Sequence, residues 1–388
     1  MSLKDTITAR YRRVRQRSES ICQPLETEDY VVQPIVEVSP PKWHLGHTTW
    51  FFETFVLSND HSYSNYNPDF NFVFNSYYES VGKRVVRTDR GNLSRPSVDE
   101  VFKYRSYVDE NMERLFAEQS IGLDILNLIE LGLNHEEQHQ ELLLCDIKYI
   151  LGNNPLLPVY SDFEEHPVGE ENNWITIAKG KYEIGYAGND FHFDNEKGRH
   201  PVWLEEFQIA QELVSNKEYL EFIEDGGYQR FEFWHAEGWN WAKECNVRAP
   251  EYWHYQNGKW MNYTLSGLRE INPDALLSHI SFYEASAFAE WKGMRLPTEF
   301  EWEVAHENLK LGKRWEWTNS AYLPYPGFLK KEGAIGEYNG KFMVNQMVLR
   351  GGSIATPFGH FRPTYRNFFH SNLRWQYTGI RLAQKQFS

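Results

Sequence analysis

The sequence predicts a two-domain protein, an all-α four-helix bundle followed by an α+β domain, and three observations carry that reading. Four segments early in the chain repeat their apolar positions at helical spacing. After Gly152-Asn153-Asn154-Pro155 the character changes to glycines, aromatics and short β-type runs. With 388 residues the chain is long enough to build two cores. The expected division is 1–155 for the bundle, 156–173 for a linker and 174–388 for the second domain.

The first helix is expected over Leu3 to Gln23, a basic pattern that stops ahead of Pro24. The second, Pro41 to Asn59, opens on Ser39-Pro40-Pro41, a set of helix-start signals, and then turns apolar and aromatic. A third runs from Val98 to Gln119 behind Ser97, with Asp99 and Glu100 in its first turn, where the helix dipole favours negative charge. The fourth, Ile121 to Leu151, has no proline and places Ile125, Leu128, Ile129, Leu131, Leu142, Leu143, Ile147 and Ile150 at helical intervals. In the second domain Glu205 to Ile209 reads as a strand, and Asn216 to Glu224 and Ser281 to Lys292 read as helices. Most of the 14 tryptophans lie there, and Trp234, Trp239, Trp241 and Trp253 are expected in its core.

The fourth helix carries the chemistry. His135 and His139 are four residues apart, one turn along a single face, so two imidazoles converge on one point. The alternative is a helix whose polar face is merely solvated. Likeness to the HExxH zinc proteases is superficial, since no third-ligand motif follows Glu136. What favours a metal is a second histidine-bearing helix, with His44 and His47 in Trp43-His44-Leu45-Gly46-His47, because bundle cores build metal sites from inward-facing side chains. Between the second and third helices, Arg84, Arg87, Arg90 and Arg95 form either a carboxylate clamp or a set of solvated charges.

Composition narrows the classes of function. Asp and Glu number 54 against 40 Lys and Arg, a formal charge of −14, which disfavours nucleic-acid binding. Cys22, Cys145 and Cys245 are widely spaced and odd in number, the pattern of reduced thiols in a cytoplasm. The start is charged throughout and no apolar run has the length of a bilayer, so a cytoplasmic protein without a membrane partner is expected.

Taken together, the motifs resemble those of the ergothioneine-pathway sulfoxide synthases. The first part, with Trp43-His44-Leu45-Gly46-His47 and His135-Glu136-Glu137-Gln138-His139-Gln140-Glu141, is similar to their DinB-like bundle. The second resembles the formylglycine-generating-enzyme fold, a variant of the C-type lectin fold. The residues that carry this are Phe193-Asp194-Asn195-Glu196, Gly293 through Glu303, Trp315-Glu316-Trp317-Thr318, Leu349-Arg350-Gly351-Gly352-Ser353 and Gly379-Ile380-Arg381-Leu382-Ala383.

The resemblance implies a mononuclear non-haem Fe(II) enzyme with His47, His135 and His139 as ligands. It implies small-molecule substrates as partners: hercynine, cysteine and O2, joined as a sulfoxide between the thiol sulfur and the imidazole carbon. Gln138 matches a residue that hydrogen-bonds the imidazole substrate, and Asn367 and Phe368 match positions around the trimethylammonium group, a cation that an aromatic face can receive. Arg87 and Arg90 match arginines that receive the thiol's carboxylate. The proton donor to reduced oxygen falls on Tyr77 or Tyr78, as in the cysteine-using branch, because Phe369 stands where the γ-glutamylcysteine-using branch has an aspartate. Formylglycine chemistry is not expected, since Cys245 is the only cysteine of the second domain. Other readings are a synthase using γ-glutamylcysteine, unmethylated histidine as in ovothiol formation, or a selenium donor, and a non-enzymatic lectin-like binding protein.

Overall fold

In a computed structural model the described residues are 2–76, 78, 82–165, 167–170, 172–330 and 339–385. They fall into two compact units: the chain up to Ser161 with Ala355–His360, and the remainder from Asp162 onward. No helix among the described residues is long and apolar enough to cross a membrane.

Among the described residues, five α-helices build the first unit: α1 (Leu3–Cys22), α2 (Pro41–Phe55), a short α3 (Phe70–Phe74), α4 (Val98–Ala117) and α5 (Leu123–Gly152). The starts follow from local chemistry. Ser2 and Asp5 close a capping box on α1, Pro41 occupies the first turn of α2, where a missing N–H costs nothing, and the Ser97 hydroxyl accepts from Glu100 N–H on α4. α5 packs on both α1 and α2, and α2 also packs on α4. The α2/α5 approach depends on Gly132, where a Cβ would come within 2.7 Å of the Phe52 ring and 2.8 Å of Phe51. Gly46 does the same for the Phe74 ring, which a Cβ would meet at 2.1 Å.

A buried ion network pins α5 on the side away from solvent. Glu136 accepts from Ser18 and Arg105, both at 2.6 Å, and from Arg15 at 3.1 Å, while Arg15 also reaches Asp109 and Thr49. Burial pushes the Glu136 carboxyl up, but the two guanidiniums outweigh it and hold it down at about 2. Glu136 is therefore a structural anion with both oxygens engaged, which separates this helix from the HExxH proteases. The next residue, Glu137, takes Arg10 at 2.6 Å and His360 at 3.1 Å, and one turn further Glu141 takes the Thr356 hydroxyl at 2.7 Å, so Ala355–His360 straps onto α5.

Among its described residues the second unit contains two four-stranded sheets, a hairpin and a three-stranded meander. One sheet orders Trp174–Ile177, Phe207–Ala210, Ala383–Gln384 and Met294–Arg295; the other orders Asn367–His370, Gln346–Arg350, Trp315–Ala321 and Thr378–Gly379. Its helices include Asn216–Glu224, as expected, and Phe282–Trp291, with Ala236–Glu244 and Glu299–Ala305 in addition. Phe207, Ile209, Trp302, Ala305 and Leu309 form one core cluster. The sequence motifs of this unit turn out to be its buried ionic frame. Arg381 holds Glu316 through two nitrogens, at 2.6 and 2.8 Å, and Glu316 also accepts from Trp302. Arg350 and Arg366 both reach Glu299, and Arg295 holds Glu301, which caps its own helix through Thr298. The stretch expected as a linker is shared: Tyr160 donates to the Ile21 carbonyl in the first unit, while Gly169 N–H donates to the Asp274 carbonyl in the second.

Candidate metal centre

His47 from α2 and His135 and His139 from α5 each offer a ring nitrogen within 4.8 Å of the others, and all three are buried. Ring centroids are 4.9 Å apart for His47 and His135, 4.8 Å for His47 and His139, and 4.6 Å for His135 and His139. The pair on α5 follows from i, i+4 spacing; the third comes from the helix that Gly132 lets approach.

Each ring is oriented by its surroundings. His47 Nδ1 lies 2.6 Å from the Phe74 carbonyl, an acceptor only, so Nδ1 carries the proton and Nε2 is left with a lone pair. That Nε2 is buried and has no hydrogen-bond partner among the described residues. His47 is also sandwiched, stacked on Trp43 at 4.5 Å and on Trp50 at 5.5 Å, both at 15° between planes, and the Arg90 guanidinium lies over the Trp43 ring at 3.4 Å. His139 Nδ1 is 2.9 Å from His44 Nδ1, and His44 Nε2 is 2.9 Å from Asp146.

All three rings are held in the neutral form. Burial lowers the pKa of His47 and His139 well below the ordinary histidine value, and neighbouring imidazoles add to it; burial brings His135 to about 4, partly offset by Glu136. Neutral imidazoles are what a metal ion requires. An orphaned buried acceptor costs about 1–3 kcal/mol, and a cation at the centre of the triad would satisfy it. The residues present therefore fit a mononuclear metal held by three nitrogens, a number that leaves positions for other ligands.

The other expected residues are distributed as follows. Tyr78 is buried, its ring 5.4 Å from Trp50 and 5.3 Å from Phe55, its backbone tied to the Asn75 side chain. Tyr77 lies outside the described residues. Arg90 is buried and donates to the Ser39 and Ser76 hydroxyls, whereas Arg87 is half-buried, donates to the Glu37 carbonyl and has an Nε without a partner among the described residues. Gln138 is half-buried on α5, three residues after His135. In the second unit Asn367, Phe368 and Phe369 occupy one strand. Phe368 stacks on Tyr322 at 4.1 Å and Phe369 meets Trp375 edge-on at 5.4 Å; successive strand residues point to opposite faces, so Asn367 shares a face with Phe369.

Three features were not read from the sequence. The Trp43–His47–Trp50 stack was findable, since steps of four and three keep all three on one face of α2. Asp146 was findable as the residue two turns beyond His139. The Phe74 carbonyl leaves no trace in a pattern of side chains.

Residues 10–143 match the DinB superfamily, and residues 159–314 match the sulfatase-modifying factor enzyme 1-like domain. The chain is 30% identical over 305 residues to the hercynine oxygenase of Mycolicibacterium smegmatis, covering 65% of this chain and 70% of that protein. It is 30% identical over 301 residues to the hercynine oxygenase of Mycobacterium tuberculosis, with 65% and 70% covered, and 29% identical over 303 residues to that of Mycolicibacterium thermoresistibile, with 65% and 67% covered. A DinB-type bundle with a histidine triad, followed by a formylglycine-generating-enzyme-like domain, defines an enzyme of the oxidoreductase class. The chain belongs to the ergothioneine-pathway sulfoxide synthase family, that of the hercynine oxygenases.

Proposed function

We propose that the protein is an Fe(II)- and O2-dependent sulfoxide synthase that joins the sulfur of cysteine to the imidazole carbon of hercynine. The observation that supports this best is the convergence of three neutral, buried imidazoles in a chain related to hercynine oxygenases. Atoms and electrons balance without a further reductant: thiol, imidazole and O2 give the S-linked sulfoxide and one water. One C–S and one S–O bond form, and the thiol and imidazole C–H hydrogens leave in the water.

His47, His135 and His139 would hold ferrous iron, which when bound would supply electrons for O2 reduction. The chain's own residues do the remainder. The triad positions the metal and the stacked tryptophans exclude water from His47. Tyr77 or Tyr78 gives a phenolic proton to reduced oxygen. Arg87, whose Nε has no hydrogen-bond partner among the described residues, is assigned to a substrate carboxylate, and Arg90 adds positive charge from its place on Trp43. Gln138, Asn367 and Phe368 are assigned to hercynine, and Phe369 to the thiol donor's surroundings.

The test is anaerobic reconstitution with one equivalent of Fe(II), followed by oxygen uptake with cysteine, hercynine, both or neither. Uptake that needs both, with a product mass equal to the sum of the substrates plus one oxygen minus two hydrogens, is expected. Uptake indifferent to hercynine, or equal turnover without iron, would overturn the proposal.

A further inference from the structure

His44 is not among the three converging ligands, yet it is buried and fully engaged on the far side of one of them. Its Nδ1 faces His139 Nδ1 at 2.9 Å and its Nε2 faces Asp146 Oδ2 at 2.9 Å. The same Asp146 oxygen accepts from the Ser39 backbone N–H at 2.9 Å, so the carboxylate is held from the start of α2 as well as from α5. Four groups thus form a line: Ser39 N–H, Asp146, His44 and His139.

The proton positions along that line are constrained. A carboxylate that already receives an amide N–H can only accept, so His44 Nε2 carries a hydrogen. If His44 carries that one proton, its Nδ1 is an acceptor, and the hydrogen between the two rings belongs to His139 Nδ1. His139 Nε2 consequently keeps its lone pair. Were His44 to donate instead, His139 would hold its proton on Nε2 and could not ligate through that atom. The aspartate, two rings away, sets the tautomer of the ligand.

We propose that His44 and Asp146 are positioning residues, a relay that fixes the tautomer and ring angle of His139 and thereby raises the affinity of the triad for its metal. Neither touches the reacting atoms. The proposal rests on the metal-centre reading above, and the experiment separates the two.

Binding of Co(II), a spectroscopic stand-in for Fe(II), is measured anaerobically by its d–d absorption and by titration in wild type, His139→Ala, His44→Phe, His44→Gln and Asp146→Asn, with circular dichroism and metal-free melting as fold controls. A glutamine can accept through its amide oxygen and donate through its amide nitrogen, so His44→Gln imitates the relay, whereas phenylalanine cannot. His44→Phe is expected to lose roughly 10–100-fold in affinity with an altered Co(II) spectrum, and His44→Gln to stay within a few-fold of wild type. Asp146→Asn, which removes the charge and keeps an acceptor, is expected to fall between and stands in if His44→Phe does not fold. Unchanged affinity and spectrum in His44→Phe or in Asp146→Asn, with His139→Ala losing the metal, would overturn the relay and leave the centre intact. Full-strength Co(II) binding by His139→Ala would overturn the centre itself.

Discussion

The Nδ1–H of His47 donates to the Phe74 carbonyl at 2.6 Å, so the short helix α3 decides which nitrogen of a candidate ligand faces the metal. His47→Ala removes a ligand and should cost most of the bound iron, beyond the stability lost by emptying its place between Trp43 and Trp50. Iron content of the purified variant, with melting of the metal-free form, checks this; full iron retention would contradict it.

Gly132→Ala should weaken both stability and metal binding. The added methyl would sit 2.7–2.9 Å from Phe52 and Phe51, forcing α2 from α5 and His47 from its partners. Overpacking of this kind costs about 1–3 kcal/mol. Urea unfolding of the metal-free protein and a metal titration should shift together; a stability loss with unchanged affinity would show that the triad does not depend on this approach.

Acid sensitivity should trace to the ionic frame of the second unit. Burial alone would raise the Glu299 carboxyl, but Arg366 and Arg350 hold it below the ordinary carboxylate range. Because the folded value is depressed, the stabilisation is complete above the unfolded value of about 4.3 and is lost as pH falls through the lower, folded one. The gap in unfolding midpoint between wild type and Glu299→Gln should therefore narrow as pH drops below about 4.3. A gap that holds constant down to the acid limit would rule this out.

If a phenol delivers the proton to reduced oxygen, Tyr77→Phe or Tyr78→Phe should keep both substrates bound and slow sulfoxide formation by roughly 10²-fold or more. Turnover is expected to divert toward sulfinic acid from the thiol alone. Chromatographic product ratios decide it: both single variants and the double variant matching wild type would exclude the pair.

The choice of sulfur donor should follow Phe369. An apolar ring cannot pair the additional charged group that γ-glutamylcysteine brings, and leaving it unpaired costs about 1–3 kcal/mol, on the order of tenfold or more in kcat/KM. Cysteine is expected to be preferred, and Phe369→Asp to move the ratio toward γ-glutamylcysteine. A wild-type ratio favouring γ-glutamylcysteine would reverse the assignment without touching the metal centre.

What could be known from the sequence was whatever repeats locally. The four long helices, the starts at Pro41 and Ser97, and the His135/His139 pair all follow from apolar period, capping chemistry and a fixed pitch of 3.6 residues, which need no partner to be defined. Tertiary structure decided everything that depends on distant atoms meeting. It brought His47 to His135 and His139, engaged Arg90 with Ser39, Ser76 and Trp43, tied Glu136 to Arg15 and Arg105, and strapped Thr356 and His360 to a helix more than two hundred residues earlier. The second unit was legible only in outline, because its strands are short and its motif residues Glu299, Glu316, Arg350 and Arg381 are spaced by the packing of sheets. A buried charge must find its counter-charge wherever the fold puts it, and no local period records that address.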